Sequence, residues 1–475
     1  MPCSRGRIYR RIETITRQAD NLRRSKALLT TTRLLAPHSS QRSGHENKMH
    51  YECVILADSP TALSELCGIS ILERLLRTLQ RCGITHATVL SSTRKVIAEQ
   101  LCRPSWPRSQ LPVTVRERPA GLVTVAQIAD VWPNTGRLLL VVRGDTVFDS
   151  RLLRLLSARS VATALVDSAV PPELQVLIAS APNTGKGKLC GAALLQRDWA
   201  FTQNGSLEEA LRQNVETGGI ETLDVADQPL YYPALLREFR AFWFPAPLGA
   251  QKKEAQEILL DSVQKGGLDI PALIHGPIEK FLVSHLCRTR ITPHHLTIMW
   301  ATGAVATTVL FATGYLLWGI VVALIVGIID GLDGKQARIK VETTKAGKLE
   351  HQLDTLFAFV WPTALAYHFY VSGQLPGAFR YLGLLLLGEA LDGAGQAGIR
   401  LASEKQMQAP SLLNLLVRLV GGRRNIYIWV LTIGVVLGSP AKSFVVMAWW
   451  ELLTAAIDIP HAAWALWPLW QKKRA

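Results

Sequence analysis

The chain has 475 residues, and its 52 Lys and Arg residues outnumber its 37 Asp and Glu residues, which gives a formal net charge of +15. This length favours two or three domains. The seven cysteines include no CxxC pair, which argues against a cysteine-held metal and favours reduced thiols in a cytosolic compartment. Charged residues occur throughout the chain up to about residue 290, whereas long apolar runs dominate from about Leu296 onward. This contrast argues against a protein made of water-soluble domains alone.

The first 48 residues form a basic tail, in which eleven Lys or Arg residues stand against Glu13, Asp20 and Glu46. Three interpretations remain open for it: a nucleic-acid-binding tail, an Arg-rich targeting peptide, and a coding start at Met49. The basic residues lack the regular aromatic interleaving of nucleic-acid-binding segments, so we expect no nucleic-acid partner.

Residues 49–245 are predicted to form an α/β domain. Short apolar runs typical of strands occur at Cys53–Ala57, Ala87–Leu90, Val113–Val115 and Leu138–Val142. The segment Ile71–Cys82 places its apolar residues on one helical face. Alternation of strands and helices predicts a Rossmann-like parallel sheet covered by helices.

Residues 246–290 are predicted to be a linker followed by an amphipathic helix beside the membrane. The helix combines apolar and basic residues, namely Ile278, Phe281, Leu282, His285, Leu286, Lys280, Arg288 and Arg290. Such a helix is typical of a segment that lies on an anionic lipid surface.

Residues 291–471 are predicted to form an all-α polytopic membrane domain. We expect six transmembrane helices at about 295–312, 315–334, 349–371, 377–399, 425–438 and 443–467. Buried helices of a soluble protein are the alternative. The loop Lys and Arg residues lie mainly on one side, so the α/β domain and both termini are expected in the cytoplasm. Tryptophans such as Trp300, Trp318, Trp361 and Trp470 are predicted at the membrane interfaces.

Four acidic residues flank the connection between the second and third predicted membrane helices. Asp330 and Asp333 are three residues apart, and Glu350 and Asp354 are four apart, so each pair shares a helical face. Carboxylates are costly beside a membrane and need a compensating charge. Oxygen-preferring divalent cations such as Mg²⁺ or Mn²⁺ supply that charge. The alternative is four solvated acids paired with basic neighbours, namely Lys335, Arg338 and Lys345.

This segment resembles the signature of the CDP-alcohol phosphotransferase family, written DxxDGxxAR followed by GxxxDxxxD. The first half is matched in full by Asp330, Asp333, Gly334, Ala337 and Arg338. The second half departs, because Glu350 stands where the family has its third Asp and Gly347 is one residue too close. In a rival register Asp354 is the third acid and Ala358 takes the fourth place. The resemblance covers roughly residues 290–470, including the Thr292-Pro293 start of the first membrane helix.

The resemblance implies that an acceptor hydroxyl attacks a CDP-linked alcohol and that CMP leaves. It implies metal ligation by Asp330, Asp333, Glu350 and Asp354, with Asp354 as the general base. It further implies contacts to the CDP group from Asp330, Gly334, Ala337 and Arg338. A homodimer is expected. The basic loop residues Arg400, Arg423 and Arg424 are candidates for binding an acceptor phosphate or lipid headgroup, or else act as topology anchors.

The α/β domain resembles sugar-type nucleotidyltransferases through Val54–Ala57, Gly68–Arg74 and the pair Gly144-Asp145. Asp145 corresponds to their metal-binding acid. The glycine-rich phosphate loop is replaced by Asp58-Ser59-Pro60-Thr61-Ala62-Leu63, and its Lys is missing. A loop without glycine does not readily turn backbone N–H groups onto a triphosphate, so we expect no nucleotidyl transfer.

Three functions remain open. The first is a phosphotransferase that makes a phosphodiester lipid or a lipid precursor. The second is a bifunctional enzyme that also makes its own CDP-alcohol, as in inositol-phosphate cytidylyltransferase/phosphotransferase enzymes. The third is a non-enzymatic membrane scaffold.

Overall fold

The computed structural model describes residues 52–58, 60–102, 111–132, 138–203, 205–266, 269–342, 347–406, 416–417 and 419–474. The tail predicted for residues 1–48 lies outside these described residues.

The N-terminal part of the described chain is an α/β domain. Its strands are β1 (Glu52–Leu56), β2 (Glu65–Leu66), β3 (Ile69–Ser70), β4 (His86–Ser91), β5 (Val113–Glu117), β6 (Leu138–Arg143), β7 (Thr146–Phe148), β8 (Thr163–Asp167), β9 (Asn183–Thr184), β10 (Gly187–Gln196), β11 (Glu221–Asp224), β12 (Tyr231–Tyr232), β13 (Arg237–Glu238) and β14 (Trp243–Pro245). Its helices are α1 (Ile71–Arg81), α2 (Arg94–Cys102), α3 (Val125–Ala129), α4 (Ser150–Ser157), α5 (Pro172–Ile178), α6 (Arg197–Thr202) and α7 (Leu207–Thr217), with a 3₁₀ turn at Pro233–Leu235. The predicted strands and the predicted first helix are confirmed within a few residues.

The main sheet of this domain has the strand order β11-β8-β10-β6-β1-β4-β5. The strands β6, β1, β4 and β5 run parallel to one another, as predicted. The strand β10 runs antiparallel to both β6 and β8, so this edge of the sheet is mixed.

Alternating residues of the central strands point to two cores, one on each face of the sheet. Ile55 and Leu140 pack with α1 and α4 on one face, and Val54 and Val141 pack with α3 and α7 on the other. Helix α1 begins at the N-cap Ser70, whose hydroxyl accepts a hydrogen bond from the Glu73 backbone N–H.

The C-terminal part of the described chain is helical. It contains α8 (Gln251–Ser262), α9 (Ile270–Leu286), α10 (Pro293–Ala312), α11 (Leu316–Ile339), α12 (Gly347–Val371), α13 (Ala378–Gln406), α14 (Arg424–Val436) and α15 (Pro440–Arg474). The six helices from α10 to α15 lie where the apolar runs predicted membrane helices. Helices α10, α11 and α15 are long and apolar enough to cross a bilayer among the residues searched, and α14 is a shorter apolar helix. The protein is therefore a membrane protein by the composition of these helices.

The apolar side chains of these helices divide into an inner and an outer set. Trp300 and Trp361 are buried in the helical core, at 3% and 1% exposure, so their predicted interfacial position is wrong. Trp318 and Trp470 are exposed, as interfacial residues should be. On α9, Phe281 and Ile278 are exposed, whereas Lys280 forms ion pairs with Glu257 and Asp261 of α8.

Candidate phosphotransferase site

The C-terminal end of α11 carries the two acids of the first half of the motif. Asp333 is 4% exposed, and its Oδ2 accepts a hydrogen bond of 3.2 Å from the Thr297 hydroxyl on α10. Its Oδ1 lies 2.5 Å from the backbone N of Gly334. The Thr292-Pro293 start of α10 positions Thr297 one turn into that helix. The partnership of Thr297 with Asp333 was not predicted from the sequence.

Asp330, one turn earlier on α11, is partly exposed and forms an ion pair with Arg424 at the first turn of α14. The Arg424 Nη2 to Asp330 Oδ2 distance is 2.6 Å. The same guanidinium lies 5.5 Å from the ring centroid of Phe357 on α12. Arg424 therefore links a predicted metal ligand to two other helices of the bundle, α12 and α14.

The small residues of the motif lie beneath Arg338. The Arg338 Nη1 is 3.3 Å from the position a Cβ on Gly334 would take, and the Arg338 Nε donates to the carbonyl of Val263 at 3.0 Å. The guanidinium therefore occupies the low surface that Gly334 and Ala337 are predicted to offer to a CDP group. A donor that rests on Gly334 must displace or stack against Arg338.

Lys335 neutralises a different acid from those of the motif. Its ammonium group forms a buried ion pair with Glu279 of α9, and that carboxylate fills the space above Gly331. This pairing argues against the alternative in which Lys335 neutralises the four acids of the motif. The Glu279 contact was missed in the sequence, although a lone acid in an apolar helix is a signal for a buried partner.

Glu350 and Asp354 lie in the first turns of α12, and their side chains are outside the described part of the structure. No group of three or more metal-binding residues occurs among the described residues. The carboxylate oxygens of Asp330 and Asp333 are nevertheless the ligand type that Mg²⁺ and Mn²⁺ prefer, so the donor set fits such an ion.

The candidate acceptor residues are not equivalent in the structure. Arg400 is exposed on α13, whereas Arg423 precedes α14 and interacts electrostatically with Asp392 and Glu451. Glu451 of α15 accepts a hydrogen bond from the Tyr427 hydroxyl. This second polar cluster was not predicted, because its members come from three helices that are distant in sequence.

The α/β domain contains a cavity of about 320 Å³ at the carboxyl ends of β1 and β6, lined by Asp58, Arg118, Arg143 and Asp145 among others. Asp145 lies where the sequence predicted a metal-binding acid, directly after β6. Its carboxylate accepts hydrogen bonds from the Arg143 Nε at 3.1 Å and Nη2 at 2.9 Å. Hydrogen bonding to Asp145 raises the pKa of Arg143, so this partner stays charged.

The cavity holds a second fixed acid, Asp58, in the loop that replaces the glycine-rich one. Burial acts to raise the pKa of Asp58, but it is outweighed by hydrogen bonds from Ser92 and the nearby charge of Arg118, so the pKa is lowered. The Ser92 backbone N–H donates to Asp58 at 2.7 Å, and Arg118 forms an ion pair with it. Asp58 therefore carries a negative charge in the cavity, which the guanidinium of Arg118 offsets.

Residues 290–467 match the family model described as CDP-alcohol phosphatidyltransferase. The chain carries a CDP-alcohol phosphatidyltransferase domain. The matched region spans α10 to α15 and contains Thr297, Asp330, Asp333 and Arg424. The CDP-alcohol phosphatidyltransferase family carries out transfer of substituted phosphate groups.

The solved structures similar to this chain are nucleotidyltransferases. A putative glucose-1-phosphate thymidylyltransferase from Bacillus anthracis is 13% identical, covers 44% of this chain and 94% of its own, and has a TM-score of 0.33. The inositol-1-phosphate CTP transferase from T. maritima is 13% identical, covers 44% and 96%, and has a TM-score of 0.32. The UDP-glucose pyrophosphorylase from Acinetobacter baumanii is 13% identical, covers 50% and 100%, and has a TM-score of 0.32. No curated protein matches the chain.

Within the CDP-alcohol phosphatidyltransferase domain, the described residues bring Asp330, Asp333, Gly334 and Arg338 together at one helix end. Arg424 joins them through its ion pair with Asp330. The arrangement offers carboxylate oxygens for a cation, and guanidinium groups for phosphate oxygens.

Proposed function

We propose that the phosphatidyltransferase domain transfers a phosphoalcohol group from a CDP-alcohol to an acceptor hydroxyl and releases CMP, in the synthesis of a phosphodiester lipid. The observation that carries the proposal is the Asp330/Asp333 pair at the end of α11, inside the region that matches the family. The enzyme is proposed to work as a homodimer in the membrane, with its α/β domain and both termini in the cytoplasm.

In this reaction the acceptor oxygen forms a bond to the phosphorus next to the donor alcohol, and the bond from that phosphorus to the CMP oxygen breaks. Asp354 would take the proton of the acceptor hydroxyl. Asp330, Asp333, Glu350 and Asp354 would hold Mg²⁺ or Mn²⁺, which neutralises charge on the phosphoryl oxygens when bound.

Arg424 and Arg338 have a further role in this proposal. Arg424 neutralises Asp330, and a cation bound at Asp330 would compete with that ion pair. The guanidinium group released from Asp330 would then be available to phosphate oxygens of a substrate, which it binds with a planar pair of donors. Arg338 lies over Gly334 and would cover the bound CDP group.

Lipid extracts test the biosynthetic part of the proposal. Deletion of the gene is expected to remove one phosphodiester lipid, and the wild-type gene is expected to restore it. An Asp333→Asn gene should not restore the lipid. An unchanged lipid profile after deletion would contradict a role in lipid synthesis.

The acceptor site gives a further prediction. We expect that replacing at least one of Arg400, Arg423 and Arg424 by Gln raises the KM for the acceptor roughly tenfold, because one hydrogen bond to a charged group is lost. For Arg400→Gln and Arg423→Gln the donor KM should change little, whereas Arg424→Gln also removes the ion pair with Asp330 and is expected to raise the donor KM as well. Protease accessibility of the loops should stay the same in all three variants. Arg380→Gln, in the first turn of α13 at the end predicted to face the opposite side of the membrane, serves as the matched control.

The alternative role of these arginines as topology anchors predicts the reverse outcome. In that case the substitutions would alter the accessibility of the loops and leave the acceptor KM unchanged.

The α/β domain is predicted not to catalyse nucleotidyl transfer. Full-length protein incubated with CTP, Mg²⁺ and a panel of phosphorylated alcohols, including inositol phosphate, should release no more pyrophosphate than an Asp145→Ala variant. The physical reason is that the loop after β1 has no glycine to turn backbone N–H groups onto a triphosphate, and that Arg143 occupies the carboxylate of Asp145. Pyrophosphate release that depends on Asp145 would instead establish a bifunctional enzyme.

A further inference from the structure

The cytoplasmic end of α11 is held by a row of arginines from the α/β domain. Arg74, Arg77 and Arg81 lie three and four residues apart on α1, so they share one face. The Arg74 Nη1 donates to the carbonyl of Ile339 at 2.6 Å, and the Arg77 Nη1 donates to the carbonyl of Lys340 at 2.7 Å. Arg81 donates to the carbonyl of Glu342, just past the helix.

These contacts match what a helix C-terminus requires. The last carbonyls of a helix have no partner within it and carry a partial negative charge, which cations offset. Arg74 and Arg77 are 4% and 2% exposed, so both are charged groups withdrawn from water. Desolvation by burial lowers the pKa of Arg74, and this cost requires that its partners be well placed. Arg77 also pairs with Glu73 at 2.5 Å.

The backbone that the arginines hold is strained. The Val341 N–H donates to the carbonyl of Arg338 at 3.2 Å, and the Glu342 N–H donates to that of Ala337 at 2.8 Å, which together form a Schellman ending. Val341 has a φ of 53° in that ending, at the position where glycine is usual. A β-branched residue is unfavourable there, so neighbouring contacts must hold the conformation.

A second contact fixes the same helix end to the bend between α9 and α10. The Gln336 Nε2 donates to the carbonyls of Leu286 and Ile291, and Lys340 donates to that of Thr289. Gly68 of the α/β domain packs against this bend, since a Cβ there would lie 1.8 Å from the carbonyl oxygen of Cys287. The α/β domain thus contacts both the end of α11 and the bend to which that end is joined.

We propose that Arg74, Arg77 and Arg81 are positioning residues for the phosphotransferase site. They set the end of α11 and the start of the connection that leads to Glu350 and Asp354 on α12. This inference rests on the proposed function, in which acids from both helices meet. An error of about 1 Å in such an arrangement costs roughly 100-fold in rate. In this proposal the α/β domain, which is predicted not to catalyse nucleotidyl transfer, serves to position the phosphotransferase site.

Binding of CDP in the presence of Mn²⁺ tests this role on the full-length protein in detergent micelles, by calorimetry. CDP is used because it is the part common to all CDP-alcohols. The fraction of CDP binding that is lost in Asp333→Asn is taken as binding at the motif. Arg77→Met is expected to weaken that binding tenfold or more, and Arg81→Met several-fold. Arg77→Lys should retain most of the affinity, because an ammonium group also donates to a carbonyl.

Relief of the backbone strain offers a sharper readout. Glycine adopts the conformation of Val341 without strain, so Val341→Gly should restore much of the CDP affinity in the Arg77→Met background. An arginine that served only the folding of the α/β domain would not be rescued by a change in the ending of α11.

Two matched controls separate positioning from general destabilisation. Arg240→Met breaks the ion pair of Arg240 with buried Asp167 inside the α/β domain, and it should lower the unfolding temperature but leave CDP affinity unchanged. Gly83→Ala introduces a side chain at a φ of 86° in open space, whereas Gly68→Ala does so at a φ of 81° against Cys287. Only Gly68→Ala should weaken CDP binding.

The outcomes distinguish the two proposals. Wild-type protein that shows no Mn²⁺-dependent CDP binding sensitive to Asp333→Asn would overturn the proposed function. Wild-type binding that persists within twofold in Arg77→Met, Arg81→Met and Gly68→Ala would overturn the positioning role alone. If Arg77→Met does not fold, the comparison of Arg81→Met with Arg240→Met decides the same question.

Discussion

Asp330→Asn and Asp333→Asn are each expected to lower CMP release roughly 100-fold or more, because a cation held there would lose a charged ligand. Asp333 is nearly buried at the junction of α10 and α11, so the isosteric amide should preserve the fold. The measurement is CMP release by purified protein at saturating Mg²⁺ or Mn²⁺.

Asp261→Asn is the control for this prediction, since it removes an exposed carboxylate on α8 that pairs with Lys280. It should leave the rate unchanged. Membrane insertion and dimer formation should be the same in all the variants. Wild-type rates in either motif variant would show that these acids do not act in the reaction.

Glu350→Gln and Asp354→Asn are expected to impair transfer as severely, while Thr355→Ala and Ala358→Ser are tolerated. Glu350 is predicted to complete the cation site and Asp354 to accept the proton of the acceptor hydroxyl. The steady-state kcat and the Mn²⁺ concentration for half-maximal rate measure the two roles separately.

Near-normal activity of Glu350→Gln would favour the rival register of the motif. In that register Asp354 is the third acid and a cation ligand, and it is not the base. Sensitivity of Ala358 to a bulky substitution would point the same way.

Much of the fold could be predicted because local patterns encode it. The apolar runs at β1 and β6 and the amphipathic face of α1 lie where the structure has them. The direction of β10 could not be predicted, since it depends on pairing with β6 and β8 across many residues. Trp300 and Trp361 show the same limit, because composition does not distinguish a lipid-facing tryptophan from one packed between helices.

The candidate site was predictable as a motif but not as a network. The spacing of Asp330 and Asp333 is local, whereas their partners are remote: Thr297 is 36 residues from Asp333, and Arg424 is 94 residues from Asp330. The arginines of α1 are 261 to 265 residues from the carbonyls they contact. These arginines lie in α1, a helix that is buried on most of its sides. Charged residues are rarely buried without a partner, so their presence in such a helix was the signal for these contacts.

The charge arrangement in the cavity of the α/β domain could be predicted only in part. The missing glycine loop and lysine are visible in the sequence. Arg143 and Asp145 are only two residues apart in the sequence, yet their ion pair depends on the directions that their side chains take after β6. The lowered pKa of Asp58 depends on hydrogen bonds from Ser92, which is 34 residues away in the sequence.

The most direct test of the central claim is CMP release from a panel of CDP-alcohols by the purified full-length protein. The account predicts release that requires both an acceptor alcohol and Mg²⁺ or Mn²⁺, and that stops in excess EDTA. Release that continues at the full rate in EDTA would contradict the proposed cation site. No release with any donor and acceptor pair would contradict the assignment as a phosphotransferase and favour a membrane scaffold.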